Sequence, residues 1–558
     1  MDRIWLKHYP PGVPAEVEYR QYRSIGELFE SNTSKYRDRP AYTNMGRTIS
    51  FGELERLSRA FGAWLQGQGL ARGARIAVMM PNCLQYPVCV FGILRAGYVV
   101  VNVNPLYTAR ELEHQLKDSG SEAIVILENF AHVLQQVIAR TPAKRVVIAA
   151  LGDLLGAKGA IVNFVVRHVK KMVPRWEIPG TIRFNDMIRE GERLDLRRVE
   201  VGHEDVAFLQ YTGGTTGVSK GAVLLHRNIL ANLEQAAAWL RPFVKEDEPQ
   251  AIVTALPLYH ILSLTANCLL MMKAGGCNIL ITNPRDIPGF VKELQKHKFT
   301  MFTGVNTLFN ALMNHPDFAK IDFSGLKVAL GGGMPVLKAV ADRWKKMTGC
   351  TLIEAYGLSE TSPAVTINPL DLEDYNGSIG LPISSTEVIL RSDDGKEVPL
   401  GSPGEIWVRG PQVMKGYWNS PAETAKVLGP DGFLATGDVG VMDEKGYVRI
   451  VDRKKDMLLV SGFNVYPNEI ESVVAMLPGV LECAVIGVPD AHSGEVPKLF
   501  VVKRDPSLTE AEIRKHCEAN LTGYKRPKII EFRRELPKTN VGKILRRALR
   551  EEAKAVSS

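Results

Sequence analysis

Over the first 440 or so residues, short β-rich runs alternate with helical patterns, and this alternation limits the possible folds more than any other feature. Arg75–Met80, Tyr98–Val103, Ala123–Leu127 and Arg145–Ala149 are runs of five or six mostly apolar residues. One helical pattern runs through Gly92–Arg95 and another starts near Thr108. A rhythm of this kind builds α/β layers with largely parallel sheets. From about Ser384 to Arg409 the strands crowd together between Gly and Pro turns, as in a small β-rich subdomain. The style changes again after Asp452–Asp456, a charged linker between two apolar strands. Pro467 opens a helix that runs to Met476 and is stopped by Pro478-Gly479. Cys483–Val488 and Leu499–Val502 read as strands, and Thr509-x-x-Glu512 is a capping-box start for a further helix. The expected fold class is α/β. It comprises a large N-terminal domain (1–451) of layered α/β sheets plus a small β-rich subdomain, a hinge (452–456), and a small α+β C-terminal domain (457–558).

A length of 558 residues suits about three or four folding units. The 69 basic and 61 acidic residues leave a net charge of +8, most of it in the tail, where residues 503–558 hold 15 basic and 8 acidic side chains. The seven cysteines are odd in number, widely spaced and without a Cys-x-x-Cys pair, so they read as buried thiols in a reducing cytoplasm. The first residues carry no apolar core of a secretory signal. The uncharged stretch Ala251–Met272 is long enough for a membrane span, yet its Pro257, His260 and Asn267 favour a strand, a loop and a buried helix. Ile161, Phe164, Val165, Val169, Met172 and Val173 recur at helical spacing among Arg167, Lys170, Lys171 and Arg175, with Trp176 closing the run. That stripe is expected to dock on its own domain, and peripheral contact with an anionic membrane is the other reading.

The sharpest local signal is the run Tyr211, Thr212, Gly213, Gly214, Thr215, Thr216, Gly217, Val218, Ser219, Lys220, Gly221, followed by Ala222, after the strand-like Val206–Gln210. Glycines let backbone amides converge on an anion, hydroxyls add donors, and Lys220 adds a charge. It is not a Walker A loop, which needs Gly before the Lys and Ser or Thr after it. Here Ser219 precedes Lys220 and Gly221 follows.

This run resembles the phosphate-loop signature of adenylate-forming enzymes, a superfamily of acyl-CoA synthetases, adenylation domains and luciferases. Further stations follow in that superfamily's order: Leu256–His260, Gly331-Gly332-Gly333, Tyr356–Glu360, Gly404–Pro411, Thr436-Gly437-Asp438, Val451–Lys455 and Pro537–Lys543. Nearly the whole chain is similar to bacterial long-chain fatty-acid–CoA ligases. The resemblance implies ATP-dependent activation of a long-chain fatty acid to acyl-adenylate, then thioester formation with CoA, with release of AMP and pyrophosphate. Mg²⁺ is the implied cofactor, with ATP and CoA as co-substrates.

The resemblance also implies roles. Tyr211 to Ala222 would hold the phosphates, with Thr215 near Mg²⁺ and Glu360 as its carboxylate ligand. Gly331, Gly332, Gly333, Glu354, Ala355, Tyr356, Gly357 and Ser359 would form the adenine slot. Asp438 would take the ribose hydroxyls and Arg453 would approach the ribose; alone, Asp438 reads as a turn aspartate. Lys543 would bridge the substrate carboxylate and the α-phosphate, so the small domain must be mobile, turning about Asp452 and Lys455. Ser461, Gly462 and Phe463 would line the thiol path. His260 would border the acyl carboxylate, although a packed histidine is an equal reading. Leu262 to Met272, with Val305, Phe309 and Val365, would line an acyl pocket.

Two other classes are weighed. An acyl carrier protein's thiol could replace CoA as acceptor. A nucleic-acid-binding role is set aside, because the basic tail has no ladder of stacking aromatics or recognition motif. Cytoplasmic placement is expected, with peripheral contact at the inner membrane and a homodimer both left open.

Overall fold

The computed structural model describes residues 3–212, 219–245, 248–461, 463–490, 492–539 and 542–557. Among these, two large sheets organise the N-terminal body. The first runs Gly416–Tyr417, Lys220–Leu225, Val206–Thr212, Val99–Asn102, Arg75–Met79, Ala123–Leu127, Arg145–Ala149 and Ile182–Arg183. Its inner strands are parallel and apolar throughout, as strands covered on both faces must be. The second carries Ala251–Thr254, Met301–Gly304, Val328–Gly331 and Leu352–Gly357 in parallel at its centre. At one edge of it, Pro40–Asn44 pairs with Cys277–Leu280 and with Arg47–Ser50, a hairpin that the helix–strand rhythm does not announce. A continuous apolar core joins the sheets through helices Phe51–Gln66, Gln85–Arg95 and His226–Leu240, with Phe61, Phe91 and Leu233 buried between Val100 and Met301.

Local chemistry sets the element ends. Thr108 and Glu111 close a capping box on the helix Ala109–Ser119, and Gly120 ends it in the left-handed conformation. Thr509 and Glu512 do the same for Glu510–Asn520. The stretch Ala251–Met272 divides into a strand, a loop and short buried helical turns, and among the described residues no helix is long and apolar enough to cross a membrane. All seven cysteines are free.

A four-stranded antiparallel sheet follows, Glu387–Arg391, Gly404–Arg409, Leu434–Met442 and Val448–Arg453. Its last strand passes through Asp452, and Lys454–Asp456 turn the chain into the small body. There, Val480–Asp490 and Gly494–Lys503 form the long centre of a five-stranded sheet with two buried faces. Val485 and Leu499 meet Ile470 and Ile513 on one side, while Ile486 and Phe500 meet Leu549 on the other.

The expected docking of the 161–173 stripe is not what the fold does. Ile161, Phe164, Val169 and Met172 point to solvent, and Val166 is the residue buried beneath them. The helix Lys158–Phe164 widens into a π turn at Val165–Val169, with the Lys170 N–H donating to Val165 O at 2.8 Å. The extra residue in that turn rotates the 3.6-residue stripe off the body.

Candidate active site

A cavity of about 1230 Å³ opens where the two bodies meet, at the C-terminal ends of the parallel strands of the second large sheet. That edge is where open α/β sheets bind ligands. The volume exceeds the 300–1,000 Å³ range usual for one small-molecule ligand.

Asp438 and Arg453 face each other across an antiparallel pair, with Arg453 Nε 3.2 Å from Asp438 Oδ1. The Tyr356 hydroxyl donates to Asp438 Oδ2 at 2.7 Å, and the Asp438 N–H donates to Thr436 Oγ1 at 3.1 Å. A carboxylate has about four acceptor positions, so this buried Asp438 keeps room for two further donors such as vicinal hydroxyls. Gly357 is required sterically, since a Cβ there would lie 1.9 Å from Pro363 O. Gly331 ends its strand, where a Cβ would meet Val336 at 2.6 Å, and Gly333 sits at φ +75°. Gly332 is packed against Leu262.

Glu354 does something different from what the motif suggests. Its buried carboxylate accepts the Val336 N–H at 3.2 Å and the Tyr375 hydroxyl at 3.0 Å, and its carbonyl accepts Asn368 N–H. It braces the loop after Gly333, and burial pushes its carboxyl up to about 7. Ala355 and Tyr356 pair with Ile367 and Thr366 in the sheet, and Ser359 opens the short turn that carries Glu360.

The residues Gly213, Gly214, Thr215, Thr216, Gly217 and Val218 lie outside the described residues, as does Gly462. What flanks the loop is clear. Thr212 pairs with Lys220, Tyr211 with Gly221 and Gln210 with Ala222, so the loop joins the arms of an antiparallel hairpin. This differs from the strand-to-helix setting of a Walker A loop. The Tyr211 hydroxyl bonds Asp118, Ser219 Oγ donates to Thr212 O, and His114 Nε2 meets Ser219 O at 3.0 Å. Gly221 lies 3.0 Å under the Tyr211 ring, and Ala222 is buried core. Lys220 pairs with Glu423 and lies 5.4 Å over the Tyr417 ring, while the Tyr417 hydroxyl donates to Glu360 Oε1 at 2.7 Å. Burial pushes the Glu360 carboxyl up, and the Tyr417 hydroxyl holds that rise back. Among the described residues no cluster of three metal-binding side chains occurs. One carboxylate facing a polyphosphate still suits Mg²⁺, which is commonly held by one or two carboxylates and phosphate oxygens.

Lys543 enters the cavity from the small body. Its N–H donates to Thr539 Oγ1 at 3.1 Å, and Gly542 O accepts the Thr307 hydroxyl at 3.3 Å. A second light contact, Arg504 to Asn310 at 3.4 Å, lands on the same helix, Asn306–Met313. Burial, with Arg453 nearby, lowers the Lys543 ammonium to about 7. His260 lines the same space. Its Nδ1 accepts the Leu262 N–H at 3.4 Å, so the neutral ring carries its proton on Nε2. Burial, and then Lys543, lower the imidazole to about 4, which keeps it neutral.

Beyond His260 the cavity turns apolar, past Leu256, Leu262, Thr265, Ala266 and Leu270 to Ala236, Trp239 and Leu240 on helix His226–Leu240. Val305 lines the cavity, but Phe309 and Val365 do not; they are packed in the cores under their sheet. The helix His226–Leu240 is a wall that the sequence reading missed.

Ser461 and Phe463 stand apart from this cavity. Ser461 has φ +51°, and Phe463 is exposed and stacks on Tyr524 at 4.7 Å. At the hinge, Lys455 lines the cavity and is pushed down to about 8 by burial and then Arg453. Asp452 is fully buried and accepts the Asn468 N–H at 2.8 Å. Arg546, also missed, bonds Glu471 at 2.7 Å and approaches Asp456 at 3.5 Å and Asp452 at 3.9 Å.

The family model described as AMP-binding enzyme matches residues 29–418, and the model of the AMP-binding enzyme C-terminal domain matches residues 469–543. The chain is an AMP-binding enzyme. This AMP-binding enzyme is 59% identical over 554 residues to a long-chain-fatty-acid–CoA ligase of Yersinia pestis, covering 99% of this chain and 98% of the relative. It is 38% identical to a protein of the same name from Bacillus subtilis, with 98% of each chain covered. Among solved structures it superposes on the anthranilate CoA ligase AuaEII in complex with anthranoyl-AMP, with TM-score 0.85, 26% identity, and 96% and 98% coverage of the two chains. ATP-bound MatB from Rhodopseudomonas palustris follows, with TM-score 0.81, 29% identity, and 96% and 100% coverage.

Proposed function

We propose that this AMP-binding enzyme is a long-chain fatty-acid–CoA ligase. The observation that carries the reading is the position of Lys543, whose arm brings a buried amine to the junction between the Asp438–Arg453 end of the cavity and its apolar arm. A carboxylate is a poor acyl donor, because its charge repels nucleophiles and oxide leaves badly. In the first step a carboxylate oxygen bonds to the α-phosphorus of ATP and the bond to pyrophosphate breaks. In the second the CoA sulfur, losing its proton, bonds to the acyl carbon and AMP departs.

Both steps gather negative charge, so the chain's part is to place cations and donors. Lys543 neutralises charge between carboxylate and α-phosphate. Asp438 and Tyr356 fix the ribose end, and Arg453 holds Asp438 ionised and oriented. Neutral His260 offers an Nε2–H to the acyl carboxylate at the mouth of the apolar arm. Glu360, steadied by Tyr417, would hold Mg²⁺, which supplies charge neutralisation on the phosphates when bound. The apolar arm selects chain length, at about 0.8 kcal/mol per buried CH₂.

Ser461 and Phe463 stand outside the cavity while Lys543 is in it, which supports rotation of residues 457–558 about the 452–456 turn between the half-reactions. Free, mostly buried thiols suit a reducing cytoplasm, and we place the working enzyme there with peripheral contact to the inner membrane. The test is pyrophosphate release and oleoyl-CoA formation from oleate, ATP and CoA. Absence of oleate-dependent exchange of labelled pyrophosphate into ATP would sink the reading.

A further inference from the structure

We propose that residues 158–175 form a lipid-docking arm that lays its exposed ridge on an anionic bilayer. This deepens the peripheral placement given above and rests on it only for the choice of partner; the geometry is separate from the active site. Ile161, Phe164, Val169 and Met172 are 66%, 59%, 65% and 53% exposed, an unusual concentration of bare apolar side chains in one short segment. Lys158, Lys170, Lys171 and Arg175 flank them and are exposed, and no ion pair involves any of the four among the described residues. No acidic residue occurs from Leu154 to Trp176. An apolar ridge rimmed by cations is the pattern that sinks into the headgroup layer of an anionic membrane.

The arm is held from beneath. Arg167 bonds both oxygens of buried Glu128, at 2.8 and 3.0 Å, and Arg183 meets the same carboxylate at 3.1 Å. Gly152 and Gly159 pack so closely that a Cβ on Gly159 would lie 2.1 Å from Gly152 O, and Asn163 Oδ1 accepts the Gly152 N–H at 2.7 Å. Asn129 Nδ2 donates to Met172 O at 3.0 Å. The ridge is therefore presented outward by a fixed base. A second copy of the chain is a poorer occupant, since the patch would meet its own positive charge. Four side chains also fall short of the ~1,200–2,000 Å² that a stable interface buries.

The experiment is co-sedimentation of the full chain with vesicles of phosphatidylcholine alone or with one-third phosphatidylglycerol, at low salt and at about 0.5 M salt. Wild type should bind the anionic vesicles at low salt and release at high salt. Lys170→Gln with Lys171→Asn should weaken partitioning about 30-fold; asparagine is chosen because Lys171 has φ +50°. Phe164→Ser should weaken it about tenfold or more. CoA ligation of octanoate supplied free in solution should be unchanged in both variants, which reports folding and separates this proposal from the fate of the ligase reading. The proposal is overturned if wild type ignores lipid charge, if both variants bind as wild type does, or if Phe164→Ser only converts a dimer to a monomer.

Discussion

Tyr417 donates its hydroxyl to Glu360 Oε1 at 2.7 Å and lies beneath Lys220, whose Nζ is 5.4 Å from the centre of its ring. One phenol thus links the base of the phosphate loop to the carboxylate suited to a divalent cation. Tyr417→Phe should keep the packing and remove the bond. A hydrogen bond to a charged acceptor contributes about 1.5–3 kcal/mol, so kcat/KM for ATP should fall on the order of 10- to 100-fold. A raised magnesium requirement in steady-state pyrophosphate release would accompany it. Unchanged kinetics would mean that the bond plays no part in catalysis.

Lys543 is lowered to about 7 by burial and the nearby Arg453. At pH 8 its amine is therefore mostly neutral in the free enzyme, and the ATP phosphates should raise it again. Binding of magnesium–ATP at pH 8 should take up a proton, read by calorimetry in buffers of different ionisation enthalpy. Near pH 6 the uptake should vanish, because the group is already charged. Lys543→Ala should abolish uptake at both pH values, cut adenylate formation by orders of magnitude, and spare thiolysis of supplied acyl-adenylate.

Glu354 is raised to about 7 by burial. The folded protein then holds a proton between about pH 4.5 and 7 that the unfolded chain has released. Stability from this group is therefore greatest near pH 4.5 and falls as pH rises through 7, by at most about 3 kcal/mol. Glu354→Gln should match wild type at pH 5, exceed it at pH 8 in urea unfolding, and keep activity. Loss of activity with stability intact would reassign Glu354 from brace to nucleotide contact.

Ala236 lines the apolar arm beside Trp239. Ala236→Trp should shorten the space, and each excluded CH₂ forfeits about 0.8 kcal/mol, roughly fourfold in kcat/KM. The acyl-CoA profile from mixed acids should shift toward shorter chains, with octanoate little affected. An unshifted profile would place the chain elsewhere.

Much of the fold was legible because its cues are local. The strands Ala123–Leu127 and Arg145–Ala149 match their apolar runs to the residue, and the Thr108 and Thr509 caps fall where the sequence puts them. Asp438 and Lys543 were legible as motif members, and the fold brings both to one cavity. Tyr417 was not, because its bond to Glu360 spans 57 residues and arises from pairing of Gly416–Tyr417 with Lys220–Leu225. The wall formed by Ala236 and Trp239 was hidden likewise, since a helix face toward a cavity has the same apolar pattern as one toward a core. The π turn at Val165–Val169 misled the periodicity, because one added residue is invisible to a 3.6-residue count.

The catalytic arm rests on helix Asn306–Met313 through two long polar contacts, Thr307 to Gly542 and Arg504 to Asn310. So loose a grip needs no fuel to release. The arm can lift away by thermal motion once pyrophosphate has gone, and occupancy of the chamber, rather than the strength of the latch, sets the rhythm of turnover.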